Sequence, residues 1–170
     1  DRERFVIPDW LNLKNKADAL IDISATPDGV IKDQSLLEIK CPDMGNSCFD
    51  KDGVDKIFGL PKNGFPIQYL CQLAMQQAVM NMVVNDKDER IYDIKQSYLL
   101  AWSPNRTRIW QYKFDEEFRN WFINQLEEYS LCLIDGEKVV PKPKEYKDIF
   151  IDQYKKIELR WDSTGDKNED

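Results

Sequence analysis

The stretch IQYLCQLAMQQAVMNM, from Ile67 to Met82, does most to narrow the folds open to this chain. Leu70, Cys71, Ala74, Ala78 and Met82 recur at helical spacing, so the segment reads as an amphipathic helix. Tyr69, Gln72 and Gln76 stand at i, i+3 and i+7 as a polar stripe on another flank, and Gln76 and Gln77 read as part of an exposed polar face. Segments of a different period lie on either side. Upstream, ADALIDISA alternates Ala19, Ile21, Ile23 and Ala25 with Leu20, Asp22 and Ser24, and LLEIKC, Leu36 to Cys41, alternates again before Pro42 stops it. TPDG between them is turn chemistry. Downstream, Ile94 to Trp102 and Thr107 to Phe114 are aromatic and β-branched runs joined by SPNR, which predicts a hairpin. A long helix set among strands places the chain in the α/β class, with a mixed sheet flanked by helices.

The remaining segments carry less pattern. DRERFVIPDWLNLKNK has no helical face and reads as the cut edge of a longer chain. Residues 43–66 have no periodicity, and a connection of that length in a compact domain is often a functional lid. Asp115 is placed to cap a second helix, with Glu116 and Glu117 at its positive end and Phe118, Trp121, Phe122, Leu126, Tyr129 and Leu133 on its apolar side. After Asp135 and Gly136 comes a Lys/Pro-rich stretch, then a short apolar and charged segment to Trp161. The length of 170 residues suits one domain, taken as 1–161 with a core of about 17–134 and a solvated tail over 162–170.

Composition removes whole classes of chemistry. The chain has no histidine, which excludes Ser-His-Asp, Cys-His and HExxH sites. Its cysteines, at 41, 48, 71 and 132, form no CxxC, so a zinc or iron–sulfur centre lacks its ligand spacing and reduced thiols are expected. Any metal must be held by oxygen, which favours Mg²⁺ or Mn²⁺. The net charge of −7 offers no global basic field, and no apolar run approaches the ~18 residues of a membrane helix. The expectation is a protein of the cell interior, in cytoplasm or nucleus, with no membrane partner.

The chemistry gathers in SATPDGVIKDQSLLEIKCP, Ser24 to Pro42. Side chains alternate on a strand, so Glu38 and Lys40 share one face, and Leu37, Ile39 and Cys41 are expected to face the core. The turn holding Asp28 can return its carboxylate to the same edge. Two carboxylates so placed repel one another unless a divalent cation lies between them. Such a cation polarises a phosphoryl oxygen and activates water, while a neighbouring lysine orients that water or stabilises the phosphorane. The plainer readings are cross-strand charge pairing for Glu38 and Lys40, and an ordinary turn for Pro27-Asp28-Gly29.

Taken together, Asp28 in SATPDG, Glu38 and Lys40 in LLEIKCP, and YLCQLAMQQAVM resemble the YqaJ and lambda-exonuclease group of the PD-(D/E)xK nucleases, over about Ser24 to Met80. The order of a hairpin and then a capped helix continues the likeness to about Leu133. The resemblance implies a restriction-endonuclease-like core in which Asp28, Glu38 and the Ile39 backbone carbonyl hold Mg²⁺ or Mn²⁺. Lys40 is then the catalytic lysine, Gln72 positions Lys40 or the scissile phosphate, and Tyr69 supports the site or faces DNA. Where the group has a second glutamine two residues after the first, this chain has Ala74. The group also carries an acid on an N-terminal helix, and none of Asp1, Glu3, Asp9, Asp18 or Asp22 lies on a convincing one, so either the chain is a fragment lacking that helix or the site is incomplete.

In function, the resemblance implies a metal-dependent 5′→3′ exodeoxyribonuclease acting on duplex DNA ends in viral or phage-type recombination. The same likeness suggests a ring of subunits and a single-strand annealing protein as partners. DNA phosphates would be met by Lys51, Lys56 and Lys62 in the long connection and by Arg106 and Arg108 at the hairpin tip, and Phe49, Phe58 and Phe65 could stack on an end or pack onto the body. Two other readings stay open: a related endonuclease or RNase, and a catalytically silent module of the same fold that binds nucleic acid or protein. The cysteine positions count against an iron–sulfur nuclease of CRISPR adaptation.

Overall fold

A computed structural model describes residues 4–12, 20–32, 34–41, 64–103, 106–113, 115–136 and 143–163. The elements among them are β1 (Phe5–Asn12), β2 (Leu20–Ala25), β3 (Gly29–Ile31), β4 (Ser35–Lys40), α1 (Ile67–Met82), β5 (Gln96–Ser103), β6 (Arg106–Lys113), α2 (Glu116–Ile134), α3 (Pro143–Tyr154) and β7 (Ile157–Asp162). β3 to β7 form a five-stranded sheet in chain order, and β1 pairs with β2 in a separate antiparallel ribbon. Every neighbouring pair in the larger sheet is antiparallel except β4 and β5, which run parallel from Ser35↔Gln96 to Lys40↔Ala101. Parallel neighbours require a long crossover, and α1 lies in it. The class is mixed α/β, as the alternation of periods implies.

α1 is a core helix rather than a surface one. Leu70 and Leu73 pack with Phe65, Leu99, Ala101, Trp110 and Tyr112. Ala78 and Val79 meet Ile23, Ala25 and Ile123, and Met80 meets Leu36 and Ile94. Apolar contacts in several directions leave little of the helix for water, so the expected exposed face at Gln76 and Gln77 is corrected: both are buried. Each amide then needs a partner, because a buried polar group without one is costly. Gln77 Nε2 donates to Ser97 Oγ at 2.7 Å. Asn81 accepts from the Ile94 N–H at 2.7 Å and donates to its carbonyl at 3.1 Å, tying the end of α1 to the entry of β5.

The inward face of β4 is the reverse of the expected one. Leu36 and Glu38 are buried, whereas Ile39 is 39% exposed and Cys41 is also exposed. Alternation defines two faces, and the partners supplied by α1 decide which of them turns inward.

Four elements had no clear sequence signal: β1, β3, α3 and β7. β1 carries Pro8, and its register with β2 shifts between Ile7 and Leu11, an irregularity of the kind that tolerates proline in a strand. β7 closes the sheet beside β6 with a register shift of its own. Ile109 pairs with Trp161 and Trp110 with Leu159, so Arg160 is the extra residue of a bulge. The bulge moves the inward phase: Leu159 packs on the core, Arg160 and Trp161 are exposed, and the Asp162 side chain turns inward, 4% exposed. Asp162 Oδ2 accepts from Arg108 Nε at 2.8 Å and from Arg106 Nη2 at 3.0 Å. Ser163 continues the pairing through its N–H to the Thr107 carbonyl at 2.9 Å. Asp162 and Ser163 therefore belong to the fold and not to a tail; residues 164–170 lie outside the described set.

Asp115 caps α2 as its position predicts, accepting from the Phe118 N–H at 3.0 Å. Its other oxygen accepts from Gln153 Nε2 at 3.0 Å and from Lys156 Nζ, which joins the start of α2 to the end of α3. Asp115→Ala is expected to lower stability by about 1–2 kcal/mol through loss of the cap. Asp115→Asn, which keeps the capping oxygen, is expected to lose less, and urea unfolding midpoints of the two variants provide the comparison.

Candidate active site

The inward face of β4 and one side of α1 meet over Glu38. Residues i, i+3 and i+7 of a helix stand one above another, so Tyr69, Gln72 and Gln76 reach β4 together. Lys40 Nζ donates to Glu38 Oε1 at 2.5 Å and to Gln72 Oε1 at 2.9 Å. Gln72 Nε2 donates to the same Glu38 oxygen at 2.7 Å, and Gln76 Nε2 donates to Glu38 Oε2 at 2.8 Å. The Lys40 ammonium also lies 5.0 Å from the centre of the Tyr69 ring. One carboxylate thus takes a lysine and two amides, and one lysine is held by a carboxylate, a carbonyl oxygen and a ring face.

Burial explains why so many partners converge. The Glu38 side chain is 5% exposed and that of Lys40 is 21% exposed. An ion pair at that depth is tolerated when good geometry and further hydrogen bonds offset the lost hydration. Of the two partners, Lys40 is the more exposed.

Asp28 joins from the end of β3. Gly29 is paired with Leu37, so Asp28 lies one position further, beside Glu38 in the antiparallel register. Asp28 Oδ2 accepts the Ile39 N–H at 2.7 Å, which continues with a side chain the ladder that β3 ends. The structure therefore brings Asp28, Glu38, Lys40, Gln72 and Tyr69 together, as the sequence motifs predict, with the Ile39 backbone beside them.

Other expected site residues lie elsewhere. Arg106 and Arg108 are corrected: Arg108 is fully buried, the Arg106 side chain is only 10% exposed, and both guanidinium groups are neutralised by Asp162 instead of facing a polyanion. Phe65 is buried edge-on against Trp110, with ring centroids 6.0 Å apart, and packs into the body. Lys51, Lys56, Lys62, Phe49 and Phe58 lie outside the described residues.

Gln76 is the member of the site that sequence reasoning passed over. Its i+4 relation to Gln72 was the available signal, since both amides must then approach the same strand. Gln76 is 3% exposed, and its Oε1 has no hydrogen-bond partner among the described residues. Also among the described residues, no three His, Cys, Asp or Glu side chains gather in a way that could hold a metal. No helix among them is long and apolar enough to cross a membrane. Set against known protein families, curated proteins and solved structures, the chain has no match.

Proposed function

We propose that the protein is a Mg²⁺- or Mn²⁺-dependent deoxyribonuclease that hydrolyses phosphodiester bonds at duplex DNA ends. The observation that carries this reading is the buried Glu38–Lys40–Gln72–Gln76 cluster beside Asp28. A resemblance of motifs to the YqaJ and lambda-exonuclease group suggested these residues from the sequence, and their convergence is what a PD-(D/E)xK-type site requires.

The donor set suits a hard divalent cation. Asp28, Glu38 and the Ile39 carbonyl offer oxygen only, and a cation such as Mg²⁺ binds through one or two carboxylates while keeping several waters. The amides of Gln72 and Gln76 hold Glu38 as hydrogen-bond donors commonly hold a metal-binding carboxylate. The buried, unpartnered Gln76 Oε1 nearby also fits a hydrated ion. Such a cation, when bound, polarises the phosphoryl group and activates water.

The chain's own residues supply the rest. Hydrolysis forms a bond from a water oxygen to phosphorus and breaks one P–O ester bond, and negative charge builds on the phosphoryl oxygens. Lys40, paired with Glu38 and more exposed than it, would stabilise that charge and orient the water. Gln72 grips Lys40 and Glu38 at once, so it fixes the distance between the cationic and anionic parts of the site. Preorganisation of this kind avoids the cost of moving charges into place during the reaction.

End-labelled linear duplex DNA and a closed circle, each incubated with the protein and Mg²⁺ or Mn²⁺, test the reading. Loss of label from the linear duplex with the circle intact is expected. Cutting of the circle would indicate an endonuclease. A second reading, a silent binding module of the same fold, draws on the full engagement of both Glu38 oxygens by protein donors. Retention of DNA on a gel with no cleavage of either substrate would select it.

A further inference from the structure

Gln76 holds a feature of the cluster that its internal hydrogen bonds leave unexplained. Its amide nitrogen is committed to Glu38 Oε2 at 2.8 Å, because a carboxylate accepts and cannot donate. That contact fixes the orientation of the amide: turning it over would set Gln76 Oε1 against a carboxylate oxygen. Oε1 therefore stays directed away from Glu38 Oε2, buried, with no donor among the described residues. An orphaned buried acceptor is costly, so its persistence in a polar cluster calls for a donor that arrives with a ligand.

Resting on the proposed metal-dependent reading, we infer that Gln76 is a positioning residue whose Oε1 accepts a hydrogen bond from a water in the hydration shell of the cation held at Asp28 and Glu38. One amide then acts at both ends, its N–H₂ orienting the Glu38 carboxylate and its C=O orienting the ion's water. The position differs from the family pattern, whose second glutamine falls where this chain has Ala74. The helix turn explains why Gln76 can do this. It stands four residues after Gln72 and so approaches the same carboxylate from one turn further along α1.

Mn²⁺ titration of the full chain in the absence of DNA, followed by electron paramagnetic resonance and by water-proton relaxation, tests the inference. Gln76→Met keeps the volume and removes both amide groups; Mn²⁺ affinity is expected to fall about 10–100-fold, with a changed relaxation per bound ion. Gln76→Leu likewise removes both amide groups, and a fall of the same order is expected. A thermal melt of each variant confirms that the titrated protein is folded, and either variant alone is decisive if the other fails to fold. Affinity and relaxation unchanged in a folded Gln76→Met or Gln76→Leu chain would overturn the role of Gln76 while leaving the nuclease reading intact. Absence of Mn²⁺ binding by the unaltered chain would overturn both.

Discussion

Lys40→Ala is expected to lower cleavage of linear duplex DNA by about 10³-fold, the scale on which a positioned proton-transfer group or a single charge-stabilising donor acts. The expectation comes from placement. The Lys40 side chain is more exposed than that of Glu38, and the two acceptors that hold it, Glu38 Oε1 and Gln72 Oε1, fix the position of its ammonium. Lys40→Arg is expected to fail as a rescue. A planar fork cannot occupy the compact space between a carboxylate, an amide oxygen and the Tyr69 ring. Single-turnover rates on end-labelled DNA, with metal binding measured in parallel, separate the chemical step from loss of the ion. Undiminished turnover in Lys40→Ala would reduce Lys40 to a charge partner of Glu38.

Asp162→Ala is expected to be the most damaging single change to stability outside the apolar core. It removes the acceptor shared by Arg106 and Arg108 and leaves the fully buried guanidinium of Arg108 without its carboxylate. Stripping one partner from a buried ion pair costs about 3–5 kcal/mol, which in a domain of this size lowers the melting temperature by on the order of 10 °C. The paired replacement Arg108→Met with Asp162→Leu is expected to recover much of the loss, because an apolar pair has no charge to desolvate. Thermal and guanidinium unfolding of the three proteins test this. A single variant as stable as the unaltered chain would mean that Arg108 finds another acceptor.

Much of the scaffold was legible because local pattern and tertiary burial agree there. α1 occupies Ile67–Met82, the hairpin strands fall within a residue or two of the aromatic runs, and Asp115 caps the helix it precedes. Glu38 and Lys40 were legible as a pair because strand alternation places both on one face, and the turn after β2 could return Asp28 to the same edge, whereas Gln72 was joined to them through the resemblance of motifs. Legibility failed where a polar residue is buried by partners far along the chain. Glu38 turns inward because α1 brings Gln72 and Gln76 to it, over thirty residues away, and no pattern within LLEIKC contains that information. Arg106 and Arg108 resemble a basic hairpin tip until β7 delivers Asp162 from 54 residues beyond Arg108. β7 itself was obscured by its bulge, since one extra residue breaks the alternation by which a strand is recognised.

The parallel pairing of β4 with β5 bears on when the chain acquires chemistry during folding. Ser35 and Gln96 are 61 residues apart, and closing so large a loop loses entropy before any contact compensates. The acids and the lysine stand at or just before the start of that loop and the glutamines on the helix within it, so they meet only after α1 has docked. A nascent or half-collapsed chain therefore holds these groups dispersed, and the polar cluster around Glu38 comes into being only with the finished tertiary structure.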